Sequence, residues 1–347
     1  MKKRIISILL VLATCISLAA CTQSTPTPAD SVAPADSADL ASAETASEAT
    51  EQEQFVIGIT SFSTASVFSR NAREVLKTLV EEKGGKYIDN VATDAISRAE
   101  AVENFISQGV DAIILLSGDV SECEESLNAA KEAGIVIGSC DGGYVDAVDI
   151  YSSSDNYAIG EQVVGALVEE IGSGKLLQIY SDAGSMDRKR KGGAADILAQ
   201  TDGAVTIEFN MSYAWPDYYD DVKSKTEAIL LSNGEDINGV FATFDGVGLA
   251  ALQAIREAGM ESKMPIVGVD GDPEALNEIA NPDSAYLATV IQSWDKIAAV
   301  CVNEVFNKLS GGTISSSQVV VPGILVTKDN VEEIRAQYPE LFELTAE

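Results

Sequence analysis

Phe55-Val56-Ile57-Gly58-Ile59 is a short apolar run, and apolar side chains recur after it at helical spacing. The run predicts a buried β-strand and the spacing predicts an amphipathic helix, so together they predict a βα unit. The apolar face of that helix is formed by Ala72, Val75, Leu76, Leu79 and Val80. The same alternation predicts further strands at residues 112–116, 135–137, 176–179, 205–207, 239–241 and 266–269.

Apolar strands separated by helices predict an α/β fold with parallel sheets. Uninterrupted apolar strands are typical of sheets that are covered on both faces, and helical connections bring neighbouring strands into parallel pairs. The helices end at expected signals, since Gly259 follows the helical residues 254–258 and can take the left-handed conformation. Doubly wound sheets bind ligands beyond the carboxyl ends of their strands, where the strand order reverses. We therefore expect functional residues just after the strands.

The length and charge of the chain restrict its organisation and its partners. Roughly 290 residues follow residue 54, which is more than one hydrophobic core usually serves, so two domains are expected. The formal net charge is -31, and it becomes roughly -34 if Lys2, Lys3 and Arg4 are removed. A charge of this sign and size excludes nucleic acid as an expected partner.

The N-terminus has the pattern of a bacterial lipoprotein signal. A positive start at residues 2–4 precedes an apolar segment at residues 5–18, which is shorter than the roughly 20 residues of a membrane span. The stretch Leu18-Ala19-Ala20-Cys21 resembles a lipobox. We predict a signal peptide at residues 1–20 and a lipid on Cys21, which would place an extracytoplasmic protein on a membrane. An ordinary secretory signal that leaves this cysteine unmodified stays open.

A linker follows the predicted signal. Residues 21–54 are rich in Ser, Thr, Ala and Pro, lack Lys and Arg, and carry seven acids. This composition cannot bury enough apolar surface to fold, so we expect a disordered, extended spacer, with a regulatory interaction tail as the alternative. No second apolar run is long enough to cross a membrane, which leaves the lipid as the expected anchor.

Three cysteines remain beyond the signal and the lipidation site. Cys123, Cys140 and Cys301 cannot all pair within one molecule. A bridge between Cys123 and Cys140 stays open in an oxidising compartment, but a helix position and a strand end give no reason for their β-carbons to meet. Buried free thiols are therefore expected.

The chain contains no histidine, which excludes catalytic and metal sites that depend on imidazole. Acids cluster at residues 270–274, but Ala275 stands where an EF-hand calcium loop requires glycine. We expect no metal and no cofactor. A carboxylate-based glycosidase, with Asp141 and Asp270 as its pair of acids, stays open as a remote alternative to a protein without enzymatic activity.

Several motifs after the strands match one known family. They are Ser153-Ser154-Asp155-Asn156, Arg188-Lys189-Arg190 with Gly193, Val240-Phe241-Ala242 with Asp245 and Gly248-Leu249-Ala250-Ala251-Leu252, and Ile266-Val267-Gly268-Val269-Asp270-Gly271. In this order they resemble the periplasmic sugar-binding proteins of the ribose and galactose type. The resemblance covers residues 55–326, and it implies a substrate-binding lipoprotein of an ABC importer.

The resemblance implies the type I periplasmic-binding-protein fold. In this fold two doubly wound parallel-sheet domains are joined by a three-stranded hinge and close over a ligand. The crossings are expected near Asp155, Gln292 and Val321. The expected lobes are an N-terminal one at residues 55–154 plus 293–320 and a C-terminal one at residues 155–292 plus 321–347.

The resemblance also implies a set of ligand-binding side chains. Asp141 and Asp270 correspond to aspartates that bind sugar hydroxyls, with a turn cap and a helix cap as their structural alternatives. Arg188 corresponds to a cleft arginine, with a solvated surface cation as its alternative. Gln292 matches a hinge-side amide, and Trp215 matches a stacking aromatic.

Three positions depart from the family pattern. Gly142 stands where ribose binders have an arginine, and Ser117 and Phe244 stand where the family has asparagines. Ser117 and Phe244 remain candidate ligand-binding residues, and Phe68 is a candidate for a second aromatic face, with core packing as its alternative. The departures put ribose and glucose in doubt. They favour a ligand with more apolar surface, such as a modified sugar or a nucleoside.

The resemblance therefore predicts a monomeric, lipid-anchored protein that captures a sugar or sugar-like ligand and delivers it to an ABC permease. A receptor that presents its closed form to a membrane kinase or chemoreceptor has the same cleft and stays open as the alternative. In both hypotheses the ligand favours the closed state through contacts with both lobes.

Overall fold

The computed structural model describes residues 54–62, 65–182, 184–213, 215 and 217–344. The predicted signal peptide, the predicted lipidation site Cys21 and the predicted linker up to residue 53 lie outside these residues. Within the described ranges, no helix is both long enough and apolar enough to cross a membrane.

Two six-stranded sheets form the framework of the described residues. Their strands are β1 (Val56–Ser61), β2 (Lys86–Val91), β3 (Ala112–Leu116), β4 (Val136–Cys140), β5 (Ile150–Ser154), β6 (Gly174–Tyr180), β7 (Val205–Ser212), β8 (Gly239–Ala242), β9 (Ile266–Val267), β10 (Tyr286–Ile291), β11 (Gln318–Val321) and β12 (Ile324–Thr327). The first sheet has the order β11-β5-β4-β3-β1-β2, and the second has the order β12-β10-β9-β8-β6-β7. Neighbouring strands are parallel except β10 and β12, which are antiparallel.

Helices cover both sheets. They are α1 (Val67–Glu82), α2 (Ala95–Gln108), α3 (Glu124–Glu132), α4 (Asn156–Ile171), α5 (Ser185–Ala199), α6 (Tyr218–Asn233), α7 (Asp245–Glu257), α8 (Pro273–Ala280), α9 (Trp294–Leu309) and α10 (Val331–Gln337). α9 packs against α1, β4 and β5, and α4 packs against α5, β8 and β10. We call the first sheet with α1, α2, α3 and α9 the first lobe, and the second sheet with the other helices the second lobe.

The α/β architecture that the apolar runs predict is confirmed. Every predicted strand overlaps a strand of the structure, although β9 is shorter than predicted and comprises Ile266–Val267. β3 is buried at all its positions, as expected for a strand covered on both faces. In α1, Ala72, Leu76 and Val80 are buried, which is the predicted apolar face.

The described chain crosses between the two lobes at three places. β5 ends at Ser154 and leads directly into α4, where the Asp155 carboxylate accepts a hydrogen bond from the backbone N–H of Ala158 at 3.1 Å. Asp155 is therefore the N-cap of α4. The chain returns to the first lobe after β10, at Gln292 and Ser293, and leaves it again between β11 and β12.

The cysteines of the described residues are buried free thiols, as expected. Cys140 does not pair with Cys123, and its Sγ lies 3.6 Å from Oγ of Ser152. A hydrogen bond with Cys140, together with burial, raises the pKa of the Cys301 thiol well above its ordinary value. The Cys301 thiol therefore stays protonated, and the three buried cysteines act as small apolar core groups.

Glycines allow α4 and α5 to approach each other closely. A β-carbon on Gly160 would lie 2.0 Å from the carbonyl oxygen of Arg190, and one on Gly193 would lie 2.0 Å from the carbonyl oxygen of Tyr157. A larger residue at either position requires movement of a helix backbone. The contact therefore fixes the main chain of Arg190, which becomes important at the site described below.

We expect Gly193→Ala to lower the free energy of unfolding by about 1–3 kcal/mol, because the added methyl group forces α5 away from α4. Gly165→Ala on α4 is the control, since nothing lies within 4 Å of the place that a β-carbon would take there. It should raise the free energy of unfolding by about 0.5–1 kcal/mol through better helix propensity. Chemical denaturation measures both values, and equal stabilities of the two variants would contradict the close contact.

Candidate ligand-binding site

A cavity of about 90 Å³ lies between the lobes at the carboxyl ends of the strands. Phe62 and Ser117, which follow β1 and β3, line it from the first lobe, and Phe244 and Asp270 line it from the second lobe. This is where strand order reverses in each sheet, and doubly wound sheets bind ligands at such points. The cavity holds roughly six to nine water-sized volumes, which is the space of a monosaccharide.

Arg190 organises the polar wall of the cavity, and its side chain is only 4% exposed. Its Nε donates a hydrogen bond to Oδ1 of Asn156 at 2.8 Å, and its Nη1 donates to the carbonyl oxygen of Thr243 at 2.6 Å. Its Nη2 lies 3.5 Å from Oδ1 of Asp270. Because these partners belong to three different segments of the second lobe, the planar guanidinium is held in one orientation.

A strained loop after β9 presents Asp270 to the cavity. Its φ of 120° lies in the region that favours glycine. Oδ1 of Asp270 accepts a hydrogen bond from Nε2 of Gln292 at 2.7 Å. The next two backbone N–H groups, of Gly271 and Asp272, donate to Oδ2 of Asp245 at 2.8 Å and 2.9 Å. Asp245 therefore positions the loop, although it does not itself line the cavity.

The Asp245 carboxylate is fully buried and amply hydrogen-bonded. It also accepts hydrogen bonds from the hydroxyls of Tyr286 at 2.8 Å and Thr289 at 2.9 Å. Burial raises the pKa of Asp245 and of Asp270; at Asp270 the Arg190 guanidinium opposes the rise and the nearby Asp245 adds to it. Hydrogen bonds from a ligand would favour the charged form of Asp270, since donors to a carboxylate lower its pKa.

Aromatic side chains form a second wall. Trp215 stacks on Phe244 with the ring centroids 5.5 Å apart and 14° between the ring planes. Tyr213 and Tyr218 pack edge-on against both rings, at centroid distances between 4.9 Å and 6.0 Å. We call these four residues the aromatic cluster. Phe68 faces the same cavity from the first lobe, so aromatic surface is available on both sides.

Six of the eight predicted ligand-binding residues line the cavity. They are Phe68, Ser117, Trp215, Phe244, Asp270 and Gln292. Phe68 also packs against the core of the first lobe, which was its structural alternative. Contact of these side chains with a ligand stays a prediction.

Arg188 does not face the cavity, which corrects the expectation that it is the cleft arginine. Its guanidinium pairs with Asp119 of the first lobe, and its Nη1 donates to the carbonyl oxygen of Asp182 at 2.6 Å. The cavity position belongs to Arg190. Helix geometry gives the reason, because Asp187 and Arg190 are three residues apart on one face of α5, whereas Arg188 is turned about 100° from Asp187.

Asp141 is the second predicted residue that does not line the cavity. It is fully buried, and its Oδ1 accepts hydrogen bonds from the backbone N–H of Ser154 at 3.2 Å and from Nδ2 of Asn156 at 3.4 Å. The Ser153 hydroxyl also donates to it. Asp141 thus joins the end of β4 to the first crossing. This arrangement is closer to a turn cap, its structural alternative, than to a ligand-binding role.

Sequence reasoning missed several residues that line the cavity. Asp187 and Arg190 belong to a run of charged residues, and Tyr213 lies two positions before Trp215. The hydroxyl of Tyr213 donates a hydrogen bond to Oδ1 of Asp187 at 3.2 Å. Asp187, Arg190 and Gly193 share one face of α5, but their spacing alone does not indicate which face of the helix meets the cavity.

A larger groove of about 510 Å³ adjoins the cavity. The two share Phe68, Asp270 and Gln292, and the groove continues past Trp294 to Tyr338. The hydrogen-bonded pair of Asp270 and Gln292 therefore borders both spaces.

Comparison with known proteins identifies the family. A model described as "Periplasmic binding protein domain" matches residues 57–313. The chain belongs to this family. The type I fold expected from the sequence is confirmed by a solved ABC transporter solute binding protein from Agrobacterium vitis with bound allitol. That structure has a TM-score of 0.77 and 25% identity, and the match covers 82% of this chain and 99% of the other.

Two curated relatives match this chain over most of its length. A xylitol-binding protein of Mycolicibacterium smegmatis is 27% identical over 283 residues, which is 80% of this chain and 78% of the relative. The ribose import binding protein RbsB of Bacillus subtilis is 26% identical over 271 residues, which is 77% of this chain and 85% of the relative.

Two contacts join α5 to the first lobe outside the cavity. One is the ion pair of Arg188 with Asp119, and the other places Nζ of Lys189 3.4 Å from the hydroxyl of Tyr151 and 5.5 Å from its ring centre. α5 also carries Asp187 and Arg190 of the cavity. The same helix therefore contributes both to the wall of the cavity and to contacts between the lobes.

We expect Asp119→Asn to weaken the affinity for a bound sugar by about two- to fivefold, since a partly exposed ion pair contributes modestly to the closed state. The double variant Asp119→Arg with Arg188→Asp should restore the affinity. Isothermal titration calorimetry at low and high salt measures both effects, and high salt should reduce the difference. Equal affinities of wild type and Asp119→Asn at low salt would contradict this role.

Proposed function

We propose that this protein is a monomeric, lipid-anchored, extracytoplasmic solute-binding protein that captures a sugar or sugar-like ligand and delivers it to an ABC importer. The observation that carries the proposal is the cavity between the lobes, in which the buried Arg190 and Asp270 lie together with the aromatic rings of Phe68 and Trp215. Sugars require this combination, because their hydroxyls need directed hydrogen bonds and their C–H faces pack on aromatic rings.

Both lobes contribute to the cavity, which suits capture by closure. Ser66 and Ser117 come from the first lobe, and Arg190 and Asp270 come from the second. A ligand that contacts both lobes stabilises the closed state by its additional contacts there. An importer needs such a difference in shape between the empty and the loaded protein.

The relatives support import of a sugar or polyol. Their names describe binding of xylitol and import of ribose, and the solved relative contains allitol, which is a polyol. These functions favour an importer over a receptor for a membrane kinase. Uptake of the bound sugar should fall in cells that lack this protein, whereas a receptor would leave uptake unchanged.

We expect Arg190→Lys to weaken sugar affinity by about 10- to 100-fold, because lysine cannot replace several fixed hydrogen bonds of a guanidinium. Arg188→Lys is the matched control, since it keeps the charge that pairs with Asp119 and lies outside the cavity. Its affinity should stay within about fivefold of wild type. A thermal-shift screen of monosaccharides, polyols and nucleosides selects the ligand, and calorimetry measures the affinities.

Other results of this experiment would contradict the proposal. Equal losses of sugar affinity in Arg190→Lys and Arg188→Lys would exclude the cavity as the binding site. Absence of any thermal shift across the panel would contradict sugar capture. Release of product from a panel of glycosides would favour the glycosidase hypothesis instead.

The proposed anchor is a lipid on Cys21, for which the support is the lipobox-like stretch that precedes it. We expect Cys21→Ser to move the protein from the membrane fraction to the soluble fraction, because the acyl chains are lost. Cys15→Ser is the matched control, since this cysteine lies within the predicted signal and its variant should stay in the membrane fraction. Mass spectrometry of the mature N-terminus gives the second measurement, and an unmodified Cys21 in wild type would contradict the anchor.

A further inference from the structure

The cavity has directed polar groups on one side and a rigid apolar surface on another side. We call the apolar surface that Phe244 and Trp215 form the apolar wall. Arg190, Asp270 and Gln292 supply the polar groups. Oε1 of Gln292 has no hydrogen-bond partner among the described residues, although the side chain is buried. This acceptor needs a donor from the ligand, since a buried polar atom without a partner is costly. The hydroxyls of the ligand therefore belong at this wall.

Phe244 is fixed in the apolar wall by the residues on both sides of it. The carbonyl oxygen of Thr243 accepts the hydrogen bond from Arg190, and the Asp245 carboxylate holds the loop of Asp270. Phe244 itself is only 5% exposed. A β-carbon on Gly246 would lie 2.6 Å from Cε2 of the Phe244 ring, so the ring is packed directly against the helix that follows it. The ring cannot turn away from the cavity without disturbing these contacts.

The aromatic cluster leaves little polar surface for a ligand at this wall. Phe244 covers one face of the Trp215 ring, so a ligand can stack only on the other face. The Tyr213 hydroxyl is engaged with Asp187 at 3.2 Å. Phe62 and Met186 add further apolar surface to the same small cavity. A ligand hydroxyl that points at Phe244 would give up its hydrogen bonds to water without replacement.

We propose that the ligand is a monosaccharide that carries an apolar substituent, an alkyl, alkylthio or aryl group, against Phe244 and Trp215. Its hydroxyls face Arg190, Asp270 and Gln292. This inference rests on the proposed sugar-binding function and narrows the substrate class of the same site.

Matched pairs of sugars test the inference directly. One pair is D-ribose and 5-methylthioribose, and the other is D-glucose and phenyl β-D-glucoside, each measured by isothermal titration calorimetry on the wild-type protein. In at least one pair the substituted sugar should bind about tenfold or more tightly than its parent, because burial of the added apolar group is favourable.

Variants of Phe244 assign the preference to the apolar wall. Phe244→Asn should reduce the ratio of the two affinities to less than about threefold, since the amide favours a hydroxyl at that place. Phe244→Leu should keep most of the preference, and it shows that the site tolerates substitution. Tyr219→Asn is the matched control on the exposed side of α6, where Tyr219 lies outside the cavity and outside the aromatic cluster. It should leave the ratio unchanged.

The outcomes separate this inference from the proposed function. If both parent sugars bind as tightly as their substituted partners, or more tightly, the inference is overturned and the proposed function stands. If the preference exists but survives in a folded Phe244→Asn protein, the apolar wall is not its source and the inference is also overturned. If none of these four sugars binds, the inference is overturned, and the proposed function fails with it only if the panel of monosaccharides, polyols and nucleosides also gives no thermal shift.

Discussion

Arg190 makes the set of hydrogen bonds on which the rest of the site depends. Its guanidinium contacts Asn156 of the first crossing, the end of β8 at Thr243 and the loop after β9 at Asp270. Its positive charge lowers the pKa of the buried carboxyls of Asp141, Asp187 and Asp270, although burial raises each of them more strongly. One buried cation therefore makes it possible for several acids to lie around one small cavity.

The position of Arg190 depends on backbone packing at some distance from the ligand. Gly160 and Gly193 let α4 and α5 come close enough for the arginine to reach both Asn156 and the cavity. Because α4 begins at the first crossing, the same contact connects the hinge with the ligand-binding wall. Arg188 then joins the neighbouring surface of α5 to the first lobe. One helix, α5, thus carries part of the cavity wall and the contact with the first lobe.

The sequence predicts the parts of the fold and of the site that rest on local patterns. Continuous apolar runs predict β3, β6 and β8, and the end of a strand predicts where Asp270 lies. β5 was not predicted, because three of its residues are serines. The hydroxyl of Ser152 is accommodated there by donating to the carbonyl oxygen of Ile297 at 2.9 Å, a partner 145 positions away in the sequence. The choice between Arg188 and Arg190 was not predictable either, because it depends on the rotation of α5 that the glycine contact imposes. No local pattern contains these distant contacts.

A crystal structure of the protein with its tightest-binding sugar tests the central claim most directly. We predict electron density for the sugar between Phe68 and Trp215, with its hydroxyls within hydrogen-bond distance of Arg190 and Asp270 and with contacts to both lobes. Density in the adjoining groove beside Trp294, or a sugar that makes no hydrogen bond to Arg190, would contradict this claim.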